Sequence, residues 1–600
     1  MKKTILIPAL SLAVFVAIHP SVQAASASWN VATGGNWDDA NNWTPITVPN
    51  GIGETASFQN FTTAGAYNIS ASTVQTFTVG ALNLSTNAGA TTNDIDLSLT
   101  SNVGLIFDAT EVGTAQLNFA TNNNAGSTIT VNSAIQLNDN LTSTVTRAAS
   151  QFLVPVIAGN VNLQGNTWNI GSMNSSLRFN GLISGAGSIN AGFADHGSMR
   201  DTTFTNTAST FSGGVTVGRN NRIGLNTGSV NFTGTGGGGI LGTGTISAAA
   251  NSTINDGNAA TLASNGAFFA NDADTTTNVL ANNIDVAAGR FLRLETGRPV
   301  NYSGNLSGTG TLVKVTGANN GSRSFAINSA NTTFAGTVEI QDGQIAARVD
   351  NALGSLSTIR FNPTSNANGV GLFGSTVSSV NSSVGSTLEF QRTATGNSQF
   401  ITTAGNSTFT LSGNFSNTGA GVAGYIGLGR GNGVLTNVGG GYALGTNTGV
   451  ATIRLTGTGS LENNIGIVDG SATASALSLG NTSGTQTFTG IISGNGDLVR
   501  NGAGGTSILS GANTYTGTTT VTSGTLIANN GSGSSATGTG TVSVASGATL
   551  GGSGFIAGDT TVNGTLAPGN SPGLLTFTDT TAGVTDLTLT GTAISLFEIT

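Results

Sequence analysis

The stretch FTGIISGNGDL at residues 488–498 decides the fold, because the same pattern occurs twice more in the chain. It appears as FNGLISGAGSI at 179–189 and as YSGNLSGTGTL at 302–312. A second aromatic residue follows the Ser-Gly glycine of each copy at a similar spacing, Phe211 after Gly185, Phe334 after Gly308 and Tyr515 after Gly494. Such self-similarity is typical of stacked supersecondary units, each of which buries its apolar face only against its neighbours.

The composition favours β structure and excludes several classes of function. The chain has 600 residues, of which 90 are Gly, 37% are hydrophobic and only 7% are charged. A chain of this length cannot fold around one compact core, and its polar residues are mainly Thr, Ser and Asn, which suit strands and turns. The chain has 18 Lys and Arg residues against 26 Asp and Glu, and its basic residues form no stripe. We therefore expect no nucleic-acid partner. The absence of Cys excludes disulfides and thiolate chemistry.

Residues 1–24 have the pattern of a secretory signal peptide. Lys2 and Lys3 precede an apolar run, and Val22-Gln23-Ala24 offers a small-residue cleavage site, with Ala25-Ser26-Ala27 as an alternative. An uncleaved membrane anchor is the rival interpretation, although the apolar run is short for a membrane span. No later run approaches about 18 apolar residues, so we expect no transmembrane segment in the mature chain.

The rest of the mature chain alternates short apolar patterns with turn residues. Aliphatic residues recur at i and i+2, as in Leu82 with Leu84 and Val542 with Val544, and Gly or Asn steps separate these runs. A row of β-sandwich domains would show boundaries about every 100 residues, and none is visible. The pattern therefore predicts an all-β fold, a right-handed parallel β-helix over residues 61–600 with coils of roughly 20 residues.

Residues 25–60 differ from the remainder, because they contain three of the four tryptophans, Trp29, Trp37 and Trp43. The first coil of a solenoid has an open end that must be sealed from water and from other sheet edges. Tryptophans suit such an N-terminal cap, since they combine a large apolar ring with a polar N–H. The alternative interpretation is an exposed aromatic platform that binds sugar rings.

Two segments near the C-terminus carry a family resemblance. GANTYTGTTTVTSGTL at 511–526 and GTLAPGNSPGLL at 564–575 resemble the autotransporter-associated β-strand repeat. The resemblance implies a parallel β-helical passenger, exported to the outer surface of a Gram-negative-type bacterium or beyond it. Family members commonly end in an outer-membrane β-barrel or a sorting tail, which the pattern of this chain does not supply. We therefore expect a chain truncated at its C-terminus, or one that is secreted or held by a separate partner.

Catalytic motifs are weak throughout the sequence. GNSPG at 569–573 matches a nucleophile elbow only in letters, because Pro572 has no N–H for an oxyanion hole. GTGGGG at 234–239 matches a dinucleotide motif, but no helix pattern follows it. We expect no cofactor and no metal, since the Gly-rich Asp repeat of calcium-binding β-rolls is absent.

If the protein is an enzyme, its best candidate residues form a charged patch and one histidine loop. They are Asp285, Arg290, Arg293, Glu295, Arg298 and His196, the last being the only histidine after the signal peptide. Our preferred prediction is instead a non-enzymatic, adhesin-like surface rod whose Thr, Ser and Asn faces contact cell-surface or extracellular polysaccharide or protein. A carbohydrate-active enzyme on a β-helix and a structural envelope protein are the alternatives.

Overall fold

The fold is a continuous stack of parallel coils. The structure, a computed structural model, describes residues 26–596 except for gaps at 60, 62–63, 87–94, 111–112, 122–126, 148–152, 192–199, 207, 219–220, 226–240, 250–266, 271–277, 297–299, 317–323, 355, 363–369, 374–381, 385, 391–397, 403–407, 412–414, 418–423, 429–433, 438–441, 445–450, 456–458, 462–464, 468–475, 570–572 and 579–585. The predicted signal peptide, 1–24, lies outside the described residues and stays a prediction.

The described residues of the N-terminal part of the stack form one 3₁₀ turn at Ala40–Asn42 and nineteen strands. The strands are β1 (Ala27–Trp29), β2 (Gly35–Asn36), β3 (Trp43–Thr44), β4 (Thr55–Phe58), β5 (Gly65–Ser70), β6 (Gln75–Val79), β7 (Ala81–Thr86), β8 (Ile95–Leu99), β9 (Val103–Phe107), β10 (Ala115–Thr121), β11 (Thr128–Val131), β12 (Ile135–Leu137), β13 (Leu141–Arg147), β14 (Val156–Ile157), β15 (Val161–Asn162), β16 (Thr167–Met173), β17 (Leu177–Phe179), β18 (Ile183–Ser184) and β19 (Ser188–Ala191).

The middle of the stack continues with strands of similar length. They are β20 (Arg200–Phe204), β21 (Val215–Val217), β22 (Asn221–Leu225), β23 (Ile246–Ala248), β24 (Ala267–Ala270), β25 (Asn278–Leu280), β26 (Ile284–Val286), β27 (Phe291–Thr296), β28 (Val300–Tyr302), β29 (Leu306–Gly308), β30 (Thr311–Thr316), β31 (Ser324–Ile327), β32 (Thr337–Ile340), β33 (Gln344–Ala347), β34 (Thr358–Phe361), β35 (Val370–Phe373), β36 (Ser382–Val384), β37 (Thr387–Phe390), β38 (Ser398–Thr402), β39 (Thr408–Leu411) and β40 (Phe415–Asn417).

The C-terminal part completes the series. Its strands are β41 (Gly424–Leu428), β42 (Val434–Asn437), β43 (Tyr442–Leu444), β44 (Ala451–Leu455), β45 (Gly459–Leu461), β46 (Ile465–Ile467), β47 (Ala476–Leu479), β48 (Thr485–Phe488), β49 (Ile492–Gly494), β50 (Asp497–Arg500), β51 (Thr506–Leu509), β52 (Thr519–Val521), β53 (Thr525–Ala528), β54 (Val542–Val544), β55 (Thr549–Gly552), β56 (Phe555–Ile556), β57 (Thr560–Val562), β58 (Thr565–Pro568), β59 (Thr576–Phe577), β60 (Leu587–Leu589) and β61 (Ile594–Ser595).

These strands form long sheets that run along the stack as its walls. Sheet 1 is β3-β1-β4-β7-β10-β13-β16-β19-β21-β23-β26-β29, and sheet 2 is β2-β5-β8-β11-β14-β17-β20-β22-β24-β27-β30-β32-β34-β37-β40-β43-β46-β49. Sheet 3 is β6-β9-β12-β15-β18, sheet 4 is β25-β28-β31-β33-β35-β38-β41-β44-β47-β50-β52-β54-β57-β60, and sheet 5 is β36-β39-β42-β45-β48-β51-β53-β55-β58-β61. The chain visits successive walls in turn, as β10, β11 and β12 do before β13 restarts the cycle.

The pairing pattern confirms the predicted parallel β-helix. Every described strand pair is parallel except β1 with β3, which pairs antiparallel at the N-terminal edge of sheet 1. This topology excludes the alternative of antiparallel sandwich domains, whose strands pair through hairpins and Greek keys. Inward side chains stack in register along the axis, as Leu82 does on Leu117, and both are fully buried.

The predicted coil length of roughly 20 residues does not hold along the whole stack. Val542 pairs with Thr560 one coil later, whereas Ile246 pairs with Ile284, so the second coil is about twice as long as the first. Short strands set the cross-section of the coil, whereas loops between them vary in length at little cost in closure entropy. The repeat is therefore regular in space and irregular in sequence.

The repeated sequence motif forms a corner. Its Ser-Gly glycine has a positive φ in all three copies: +97° at Gly185, +97° at Gly308 and +106° at Gly494. The residue after each second aromatic donates its backbone N–H to the carbonyl of that glycine, from Ser212 (3.1 Å), Ala335 (3.0 Å) and Thr516 (2.8 Å) respectively. The second aromatic therefore lies one coil beyond its corner, which explains why it recurs at a similar spacing in each copy.

Candidate functional site on the outward faces of the coils

An uninterrupted line of polar side chains runs along the outward face of sheet 1. Each strand of sheet 1 from β10 to β29 contributes one register-linked position to this line, and all eight residues are half-buried. We call it the amide–hydroxyl row: Gln116, Thr142, Asn169, Asn190, Thr216, Ser247, Asp285 and Ser307. Outward positions on a pleated strand carry polar side chains because only the inward ones are needed for the core.

Neighbouring members of the row hydrogen-bond to one another. Asn190 donates its side-chain amide to Asn169 Oδ1 at 3.1 Å, and Ser307 donates its hydroxyl to Asp285 Oδ1 at 2.7 Å. The hydroxyls of Thr216 and Ser247 lie 3.3 Å apart. Parallel strands in register bring like positions to about 4.8 Å, which is within reach of these short side chains. Six of the eight residues of the row are thus held by a contact with a neighbour in the row.

A second, shorter ladder lies beside it on the same face. Asn83 donates to Ser57 Oγ at 3.0 Å, Asn118 donates to Asn83 Oδ1 at 2.9 Å, and Thr144 donates to Asn118 Oδ1 at 2.7 Å. Each amide here donates to one coil and accepts from the next. The ladder runs from β4 to β13, so it lies beside the amide–hydroxyl row only on β10 and β13.

Sheet 2 carries a line of a different character, which we call the charged row. Its register-linked outward positions on β27, β30, β32, β34 and β37 are Arg293, Val313, Glu339, Arg360 and Glu389. Arg360 lies between two carboxylates, with Nε 2.9 Å from Glu389 Oε2 and Nη1 3.4 Å from Glu339 Oε2.

Glu339 is almost wholly buried, although it occupies an outward position. Its Oε1 accepts hydrogen bonds from the side-chain amides of Gln341 at 2.7 Å and Asn362 at 3.0 Å, while Oε2 faces Arg360. A buried carboxylate requires such compensation. Both carboxylate oxygens of Glu339 are occupied by these partners. Glu339 is therefore part of a structural ion-pair network, and its carboxylate is not open to a substrate.

The three N-terminal tryptophans form one buried cluster. Trp29 packs edge-on against Trp43 with ring centroids 5.1 Å apart, and Trp37 stacks on Phe77 at 4.9 Å. All three side chains have 0% exposure. A sugar platform requires an open ring face, so these rings in this conformation do not supply one.

Side chains of the N-terminal segment also cover the free edges of the next coil. Asp38 accepts hydrogen bonds from the backbone N–H of Ser72 at 2.9 Å, from the Ser72 hydroxyl and from Gln75 Nε2 at 2.9 Å. Asn50 Oδ1 accepts from the backbone N–H of Thr78 in β6, the first strand of sheet 3, at 2.8 Å. Such contacts satisfy backbone donors that would otherwise be free, in β6 a donor at the edge of sheet 3.

The predicted charged patch is divided between two walls. Asp285 belongs to the amide–hydroxyl row of sheet 1, and Arg290 lies in the turn between β26 and β27. Arg293 and Glu295 both lie on β27 of sheet 2, at alternate positions. Arg298 and His196 lie outside the described residues. The sequence grouping assumed that these residues share one face, and its described members do not.

Sequence reasoning missed both rows, although each was partly visible. The polar residues at alternate strand positions were apparent, but which of them align depends on coil length, which varies about twofold along the stack. In the part of the chain that the structure describes, no group of three or more His, Asp or Glu is placed to hold a metal ion. No helix among the described residues is long and apolar enough to cross a membrane.

The stacked parallel coils define the class: the molecule is a parallel β-helix protein. No protein-family model matches the chain, and no solved structure matches it. Over 88 residues, 14% of its length, the chain is 47% identical to the Adhesin BmaC autotransporter of Brucella suis biovar 1 (strain 1330). The aligned stretch is 2% of that adhesin, so the chain spans a small fraction of the relative it matches.

Proposed function

We propose that this protein is a non-enzymatic, exported surface passenger, an adhesin-like rod that presents repetitive polar faces for contact with a cell surface or matrix. The local similarity to an autotransporter adhesin, on a chain folded as a parallel β-helix, carries the proposal. The signal-peptide pattern of residues 1–24 and the resemblance to passenger repeats support export to the outer surface of a Gram-negative-type bacterium, or release beyond it.

The mechanism follows from the shape of the stack. Hydroxyls and amides repeat on successive coils of sheet 1, so this wall offers a series of similar weak contacts. A partner that binds one position brings its next unit close to the neighbouring position, and the effective concentration raises the total affinity. A long rod also projects such contacts away from the cell that displays it.

Display and attachment can be tested together in the source organism. Antibodies against the protein should label intact cells, and deletion of the gene should reduce attachment to surfaces or to other cells. Labelling only after lysis, or unchanged attachment in the deletion strain, would contradict the proposal. Complementation with the intact gene is the control, because attachment should return with labelling.

Two biochemical measurements separate the alternatives. Incubation of the purified protein with a panel of plant and algal polysaccharides should release no new reducing or unsaturated ends. Release that disappears in an Arg293→Ala or His196→Ala variant would establish a carbohydrate-active enzyme instead. Light scattering that rises with protein concentration, through end-to-end assembly, would favour a structural envelope protein.

A further inference from the structure

The amide–hydroxyl row is the longest register-linked outward polar line on the described strands. It crosses eight strands, and at about 4.8 Å between neighbours its length is roughly 34 Å. Seven of its eight members are neutral, and Asp285 carries the row's one formal charge. Gln, Thr, Asn and Ser side chains all offer both hydrogen-bond donors and acceptors.

We infer that the row is a binding surface for an extended, neutral polysaccharide that lies across the strands and parallel to the axis of the stack. This inference rests on the proposed function, because it names the class of ligand that the polar face contacts. Sugar hydroxyls both donate and accept, and so do the seven neutral members of the row. The spacing between neighbouring coils is close to the length of one pyranose unit in an extended chain, so successive sugars meet successive coils.

The charge of the row argues against other polymers. Anionic polysaccharides and nucleic acids are held by Lys and Arg through release of counterions, and the row contains neither residue. Asp285 would repel a polyanion. Protein interfaces draw most of their binding energy from Trp, Tyr and Arg anchors, and these are also absent from the row. A neutral polyol is the ligand that these residue types fit.

The row is also preordered for such a ligand. Asn190 is fixed on Asn169, Ser307 on Asp285, and Thr216 beside Ser247 before anything binds. Half-burial between neighbouring coils restricts the same side chains further. Binding therefore costs little side-chain entropy, which favours weak but repeated contacts.

The test uses the intact purified protein and affinity electrophoresis in gels that contain a neutral β-linked glucan, a neutral mannan, or the anionic polymer alginate. We expect retardation by a neutral polymer and none by alginate. The variant Asn190→Ala/Thr216→Ala interrupts the middle of the row and should weaken retention about tenfold or more, because the contacts act together. The variant Asn190→Thr/Thr216→Ser keeps the chemistry and should retain binding.

The control changes two outward polar residues on another wall. Ser543 and Thr561 occupy adjacent register positions on sheet 4, where Val499 interrupts the polar line. Ser543→Ala/Thr561→Ala should leave retention within about twofold of the parent, since it lies off the long row. Circular dichroism of each variant shows whether it is folded.

Three results would overturn the inference: no retardation by either neutral polymer, stronger retardation by alginate, or equal losses in the sheet 1 and sheet 4 variants. Each of them leaves the proposed function intact if the deletion strain still loses attachment. Glycan binding by a protein whose deletion leaves attachment unchanged would instead remove the proposed adhesive role and keep the binding site.

Discussion

Trp43 donates its indole N–H to the backbone carbonyl of Trp37 across 2.8 Å, and Trp37 donates its own to the carbonyl of Pro49 at 3.1 Å. Both rings are fully buried and their centroids are 5.5 Å apart. The N–H of each ring is thus satisfied inside the first described coil, where the rings fill the core. The first described coil is a packed unit, in agreement with a cap at residues 25–60, which stays a prediction.

Replacement of Trp43 tests this cap. Trp43→Ala should destabilise the N-terminal coils by about 3–5 kcal/mol, the usual cost of deleting a large buried aromatic side chain. Each coil contacts only its neighbours, so the loss should remain local. Hydrogen exchange should speed up in β1 to β5 and stay unchanged in β50 to β58. Trp43→Phe, which keeps a ring, should cause a smaller change; equal exchange along the whole chain would contradict a local cap.

The Asp38 carboxylate gives the cap a dependence on pH. Desolvation raises the pKa of Asp38, but hydrogen bonds from Ser72 and Gln75 outweigh it and hold the pKa below its usual value. Because the pKa of Asp38 is lower in the folded chain than in the unfolded chain, the contact stabilises the fold at pH values above the ordinary aspartate pKa of about 3.9. This stabilisation is lost as the pH falls through the pKa that Asp38 has in the folded chain.

We therefore expect Asp38→Asn to speed exchange of the Ser72 amide at neutral pH. Parent and variant should converge in strong acid, where the parent carboxyl is also neutral. Asp39→Asn is the matched control, because Asp39 accepts its hydrogen bonds from Asn41 in its own turn. An effect of Asp38→Asn that is the same at every pH would show that its charge has no part.

The corner glycines should resist substitution. Gly308 has φ +97°, and a Cβ there would collide with the carbonyl oxygen of Val286 in the preceding coil. Gly289 also has a positive φ, +68°, but no atom lies within 4 Å of its Cβ position. Gly289→Ala should cost about 1–2 kcal/mol of backbone strain. Gly308→Ala should lower the free energy of unfolding by clearly more, and equal losses in denaturant titrations would refute the corner geometry.

Asn513 joins three coils through one buried amide. Its Oδ1 accepts the backbone N–H of Ile492 at 2.7 Å, and its Nδ2 donates to the carbonyl of Ala536 at 2.5 Å. Asn513→Ala leaves both groups unsatisfied and should cost about 1–3 kcal/mol for each. The exposed Asn529, which accepts one hydrogen bond from Ser553, is the control; Asn529→Ala should stay within about 0.5 kcal/mol of the parent. Similar unfolding midpoints for the two variants would contradict the bridging role.

The sequence predicted the class of fold because its signals are local. Alternating apolar residues and corner glycines report strand and turn directly, and the glycines at 185, 308 and 494 do occupy the corners. Asn331 is present in the second copy of the repeat, as Asn513 is in the third. Its role as a bridge, from the N–H of Leu306 to the carbonyl of Ala352, depends on which coils are neighbours. Register is a long-range property that loop lengths conceal.

The sequence pattern also did not predict that two cationic side chains face inward. Lys314 and Arg500 follow the inward Leu312 and Leu498 by two residues and share their face of the strand, yet charge alone would place them outside. Both side chains are fully buried, and Arg500 donates to the backbone carbonyls of Leu479, Asn481, Gly505 and Thr525. Desolvation lowers the pKa of Arg500. Carbonyl groups that converge at a corner of the coil create this environment, and no local pattern reveals it.

Disulfide trapping measures directly whether the coils are parallel and in the stated register. The chain contains no cysteine, so any disulfide that forms must join the two introduced cysteines. Asn190→Cys with Thr216→Cys places two cysteines on adjacent strands, about 4.8 Å apart, where a disulfide can form. Asn190→Cys with Ser247→Cys places them two coils apart, beyond the roughly 7 Å limit. Rapid oxidation of the first pair and none of the second is the predicted result; the reverse, or equal oxidation of both, would contradict the stack.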